Sequence, residues 1–194
     1  MNEEFSGSNA LEVVIDSGRE NGLHDPALLA SVSRIYERVP ELRAGLFREL
    51  RFGKSLSYVD IMKEIHQALN ENRAEFYTVP GERTLAAQEL LLFENSGSDD
   101  LEEFDDSPFR QARFTLRVPF VGGERFVGFI PDVLDLFREE LPEGASAHAA
   151  GSLDLFVSAV QALSRGTVRS YSMALVVITP LMMLLIGSFR GGLA

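Results

Sequence analysis

From Gln111 to Val118 apolar and polar residues alternate strictly. Ala112, Phe114, Leu116 and Val118 stand against Gln111, Arg113, Thr115 and Arg117. This period of two predicts a strand over Gln111–Pro119 with one buried and one polar face. The β-branched run Leu11–Asp16 (LEVVID) predicts another strand, and the small residues Ala145–Ala150 (ASAHAA) a weaker third. Between these runs the period changes to that of a helix. Asp25-Pro26 reads as N-cap and N1 of a helix with Leu28, Leu29, Val32, Ile35 and Tyr36 on one face. It is expected to run to about Arg38, before Pro40. Leu42–Leu50 reads as a short helix or strand, followed by a loop through Gly53. Ser57 caps a helix over Tyr58–Asn70, and Thr84 begins another to about Phe93. A longer helix, Glu124–Glu140, carries Phe126, Val127, Phe129, Ile130, Val133, Leu134 and Phe137 on its apolar side, with Pro131 inside it. The pattern from Ser152 is helical again, with Gly166 as a break point.

The order is strand, helix, a largely helical insertion at about 40–108, strand, helix, strand. Alternating strands and helices predict an α+β domain of βαβ or split-βαβ units.

Beyond that domain the periodicity disappears. Ser170–Phe189 is a run of 20 uncharged residues between Arg169 and Arg190. As a helix it spans roughly 30 Å, the thickness of a bilayer's hydrocarbon core. From Met173 to Ile186 only Thr179 and Pro180 are not aliphatic. A soluble core helix would carry polar residues on one side, and Pro180 is better tolerated in a membrane span. Tyr171 and Phe189 lie where interfacial aromatics are expected. The expected division is a domain over 1–168, a transmembrane helix over 169–189 and a short end over 190–194.

Charge sharpens this picture. The first 168 residues hold all 29 acidic and 16 basic residues, a net −13. That argues against nucleic acid or anionic headgroups as the main partner. The absence of cysteine removes disulfides and thiolate metal sites. Seven of the thirteen residues Glu94–Asp106 are acidic, but their spacing is not that of a calcium loop. Asp99, Asp100, Glu102 and Glu103 read as a solvated or partner-facing flap. No phosphate loop, HExxH or nucleophile elbow is present. His24, His66 and His148 are far apart in the sequence. Arg113 and Arg117 share a polar strand face, suited to solvent, carboxylates or an anion. The sequence therefore predicts no enzyme, no catalytic residue, no metal site and no cofactor.

The terminal run MALVVITPLMMLLIGSFRGGLA resembles a span of the RND superfamily of transporters, and more narrowly the predicted exporters of the MMPL (mycobacterial membrane protein large) group. Phe189, Arg190, Gly191, Gly192 and Leu193 match the end of that group's first span after its second periplasmic domain. Ala10–Leu29, Ser57–Asn70 and Gly151-Ser152 fit the domain before it. The resemblance implies a porter-type (ferredoxin-like) periplasmic domain, anchored in the bacterial inner membrane. The parent would be a proton-motive-force-driven exporter of hydrophobic or lipid-like substrates. Its partners would be the other transmembrane helices and porter domain, the lipid bilayer and the substrate, and a homo-oligomer is compatible with it. Phe114, Leu116, Phe126 and Phe129 would be substrate contacts between subdomains if they were not simply core, which is the plainer reading; the substrate-binding residues are otherwise unknown.

Topology then poses a conflict. The family places 1–168 outside the cytoplasm, whereas Met1–Val14 has neither the basic nor the apolar region of a secretory signal. The expected resolution is that the chain is a piece of a larger transporter and is not transport-competent alone. The alternatives are a stand-alone tail-anchored acidic adaptor with a cytoplasmic domain, and a membrane-tethered enzyme without a recognisable motif.

Overall fold

The computed structural model describes residues 9–46, 55–95, 108–118 and 123–186. The chain divides into two units, Met1–Leu155 and Phe156–Ala194. The first is α+β and carries a four-stranded antiparallel sheet.

The strands are β1 (Asn9–Asp16), β2 (Ser55–Ser57), β3 (Gln111–Val118) and β4 (Ser146–Ala150), in the spatial order β2-β3-β1-β4. Strand β3 runs antiparallel to both β1 and β2, so β1 and β2 are parallel with β3 between them. By the same reasoning β3 and β4 are parallel, with β1 between them. Two strand–helix–strand halves thus interleave in one sheet. The first is closed by α1 (Pro26–Leu46), the second by α4 (Gly123–Glu140).

The alternation expected in β3 is present, and its register matches that of β1. Leu11 faces Leu116, Val13 faces Phe114 and Ile15 faces Ala112, all buried. Cross-strand apolar pairs of this kind stabilise a sheet face by roughly 0.2–1 kcal/mol each. Both long helices reach that face at Phe114. The Phe137 ring of α4 meets it edge-on at 5.3 Å and the Tyr36 ring of α1 at 6.3 Å. Leu28, Leu29, Val32, Ile35 and Val39 of α1 and Phe126, Phe129, Val133 and Phe137 of α4 complete the core. On α4, Leu136 is buried, whereas Val127 and Leu134 are half-buried.

Several local expectations change. Helix α1 does not stop before Pro40 but continues through it to Leu46. A proline inside a helix costs about 3 kcal/mol. Tertiary packing offsets this: Val39 is buried, while Arg34 and Arg38 hold Glu140 of α4 at 2.8 and 2.6 Å. The largely helical insertion contains a strand, β2, too short to show a period. Its other elements among the described residues are α2 (Tyr58–Leu69), a 3-10 turn at Ala74–Phe76 and α3 (Arg83–Asn95). Asp60 closes the start of α2 by accepting from the Ser57 backbone N–H at 2.8 Å and the Ser57 hydroxyl at 3.0 Å.

The last helix, α5 (Gly151–Ile186), is unbroken at Gly166. It is the one helix among the described residues long and apolar enough to cross a membrane. The acidic residues Asp99, Asp100, Glu102 and Glu103 and the terminal motif from Phe189 to Leu193 lie outside the described residues.

Candidate functional site

Helices α2 and α3 are neighbours, yet each leaves large apolar residues exposed. Leu69 is 51% exposed and Leu92 59%. Together with Leu56 of β2 they flank a groove of about 520 Å³, within the range of ligand pockets. Its described lining is Leu56, Ile61, Ile65, Ala68, Leu69, Leu92 and Phe93, with three carboxylates, Asp60, Glu64 and Glu89. No basic residue belongs to that lining. The amphipathic spacing of α2 produces this arrangement. Val59 and Met62 turn to the core, while Ile61, Glu64 and Ala68 line the groove.

Glu89 is the residue that a charge count would not single out. It is 3% exposed on a helix that otherwise buries Ala86 and Leu90. Its Oε1 lies 2.7 Å from Nδ1 of His66, while Oε2 is enclosed and has no hydrogen-bond partner among the described residues. The His66 ring is packed in turn by Phe76, edge-on at 5.7 Å, and the Arg73 guanidinium lies 4.7 Å from the centre of the Phe76 ring. Nearby, the Tyr77 phenol is held above its ordinary range, first by desolvation and then by the charges of Asp60 and Glu64. The charged part of the described groove lining is thus made of carboxyl groups alone.

The residues singled out from sequence fall elsewhere. Phe114, Leu116, Phe126 and Phe129 have no exposed surface and form the core. Arg113 and Arg117 sit opposite Val14 and Ala10 on the other face of the sheet. The three histidines do not converge. His24 is buried against the Phe109 ring at 4.9 Å, and its basicity is lowered by desolvation and by Arg83. His148 lies on β4 opposite Val14. Among the described residues no group of acidic or histidine side chains is arranged to hold a metal.

In the second unit, Ala159, Ala162, Gly166 and Ser170 fall along one side of α5. The bulky Met173, Leu175, Val176, Leu184 and Leu185 beyond them are exposed.

No family model, curated protein or solved structure matches the chain.

Proposed function

We propose that the chain contributes a porter-type, ferredoxin-like domain and one membrane span to a proton-driven RND/MMPL-type exporter of hydrophobic or lipid-like substrates. One observation carries this reading. Two interleaved strand–helix–strand halves form a sheet in the order β2-β3-β1-β4, and β4 leads directly into an apolar helix of span length. The order and antiparallel pairing are those expected of a split-βαβ domain. The terminal sequence adds its likeness to an RND span.

Within that reading the domain faces the periplasm and α5 crosses the inner membrane. Small residues on one side of α5 allow close approach of another membrane helix. Ser170–Phe189 contains no Asp, Glu or His, so a proton relay belongs to other spans.

Paired fusions at the N-terminus test the reading, one reporter active only in the periplasm and one only in the cytoplasm, in native genomic context. A periplasmic signal is expected. A cytoplasmic signal sinks the exporter reading and leaves the tail-anchored acidic adaptor. Reconstituted alone, the 194 residues are expected to give no proton-coupled flux.

A further inference from the structure

We propose that the groove between α2 and α3 binds a small cationic amphiphile, a primary alkylammonium whose chain lies on leucine and isoleucine and whose head meets carboxylates. As a substrate subsite it rests on the exporter reading. As a binding site it stands on the groove alone.

The class of ligand follows from the lining. Ile61, Ile65, Leu69 and Leu92 supply the apolar bed, and about 520 Å³ suits a short chain rather than a whole lipid. Asp60, Glu64 and Glu89 bring three carboxyl groups to the groove, and the described lining holds no basic residue. An anionic amphiphile would meet like charge, and a neutral one would leave the carboxylates uncompensated.

Glu89 narrows the head group. Its Oε1 is occupied by His66, and its Oε2 is enclosed without a donor among the described residues. A buried acceptor without a partner is destabilising, and folded proteins pair nearly all such groups. A primary ammonium is compact and carries three donors, so it is the head group that can donate to Oε2 once the Glu89 side chain, part of the groove wall, turns that oxygen outward. A quaternary head has no donor to offer. Asp60 is held at the groove wall by Ser57, whose backbone N–H and hydroxyl donate to its Oδ2. Glu64 is exposed at the groove and is the first carboxylate that an incoming cation meets.

The test uses the full chain in nanodiscs of zwitterionic lipid, with isoleucine and leucine methyl groups labelled for NMR. The probes are n-hexylammonium, n-hexanol and hexanoate, with empty nanodiscs correcting for partition into lipid. Hexylammonium is expected to shift the Ile61 and Ile65 methyls saturably, with affinity about tenfold above hexanol, as one charge-assisted hydrogen bond provides. Hexanoate is expected to give no saturable shift. Glu89→Gln and Leu92→Arg are each expected to weaken hexylammonium binding about fivefold or more. Leu92 is exposed, so its replacement leaves the fold intact. Equal affinity for the three probes, no saturable shift, or unchanged binding in both variants overturns the proposal. None of these outcomes bears on the reporter fusions, which decide the exporter reading separately.

Discussion

His66 Nδ1 and Glu89 Oε1 lie 2.7 Å apart and tie α2 to α3 along one side of the groove, 23 residues apart in the chain. Both side chains are largely buried, so the contact is not exchanged for water. Removing one partner strands the other. His66→Ala is expected to destabilise the first unit by about 2 kcal/mol, the cost of an unsatisfied buried acceptor. His66→Ala combined with Glu89→Leu is expected to recover part of that loss. The chain has no tryptophan, so denaturant titration followed by circular dichroism is the readout. A fully additive double mutant would rule the coupling out.

Asp16 gives a pH prediction. Its carboxylate accepts from Arg110 Nε at 2.9 Å and Nη2 at 3.0 Å, from Gln111 at 3.0 Å and from the Gly18 N–H at 2.7 Å. Arg110 leads in holding its pKa down at about 2, below the ordinary 3.8. A folded value below the unfolded one contributes stability above about 3.8, and that contribution is lost as pH falls towards about 2. Glu140, held down by Arg34 and Arg38, acts with the same sign. Asp16→Asn is expected to lower the denaturation midpoint at pH 7. The gap from the parent chain should close by about pH 2. A gap that persists undiminished at that pH would contradict the assignment.

Phe114 is the point where sheet, α1 and α4 meet, with no exposed surface. Phe114→Ala is expected to cost about 3–5 kcal/mol, and Phe114→Leu clearly less. A loss under 1 kcal/mol in equilibrium denaturation would show that the three elements do not depend on that ring.

Gly18 turns at φ +77, and a Cβ there would lie 2.4 Å from the carbonyl oxygen of Gly144. The clash is with backbone, which cannot move aside cheaply. Gly18→Ala is expected to cost at least about 1–2 kcal/mol, from left-handed strain alone. Gly81 has open space around it, so Gly81→Ala should change stability by less than about 0.5 kcal/mol. Comparing the two denaturation midpoints checks the geometry; equal effects would refute it.

Leu181 lies near the middle of the uncharged run and is 56% exposed on α5. Leu181→Arg is expected to weaken membrane insertion by about 2.5–3.5 kcal/mol. Leu163→Arg, before the run, should have little effect. Alkaline extraction of membranes distinguishes them. Retention of Leu181→Arg at parental levels would argue against α5 as a span.

The features legible in the sequence are those whose cause is local. The alternation of β3 follows from which face of a strand meets the core. The start of α2 follows from Ser57 as its cap. The span-length helix follows from a run without charge. Each lies within one element, so reading along the chain suffices. The interleaving of the strands was only partly legible. Strand β2 has three residues, too few for a period, and exists because β3 offers it an edge. Pro40 reads as a stop, but α1 continues because Glu140 of α4 holds Arg34 and Arg38 and because Val39 is buried. The groove was not legible at all. His66 appeared as a lone histidine and Glu89 as one acid among many, because nothing in the sequence encodes a partner 23 residues away. Long-range packing brings α3 against α2, buries one oxygen of Glu89 against an imidazole and leaves the other without a donor among the described residues.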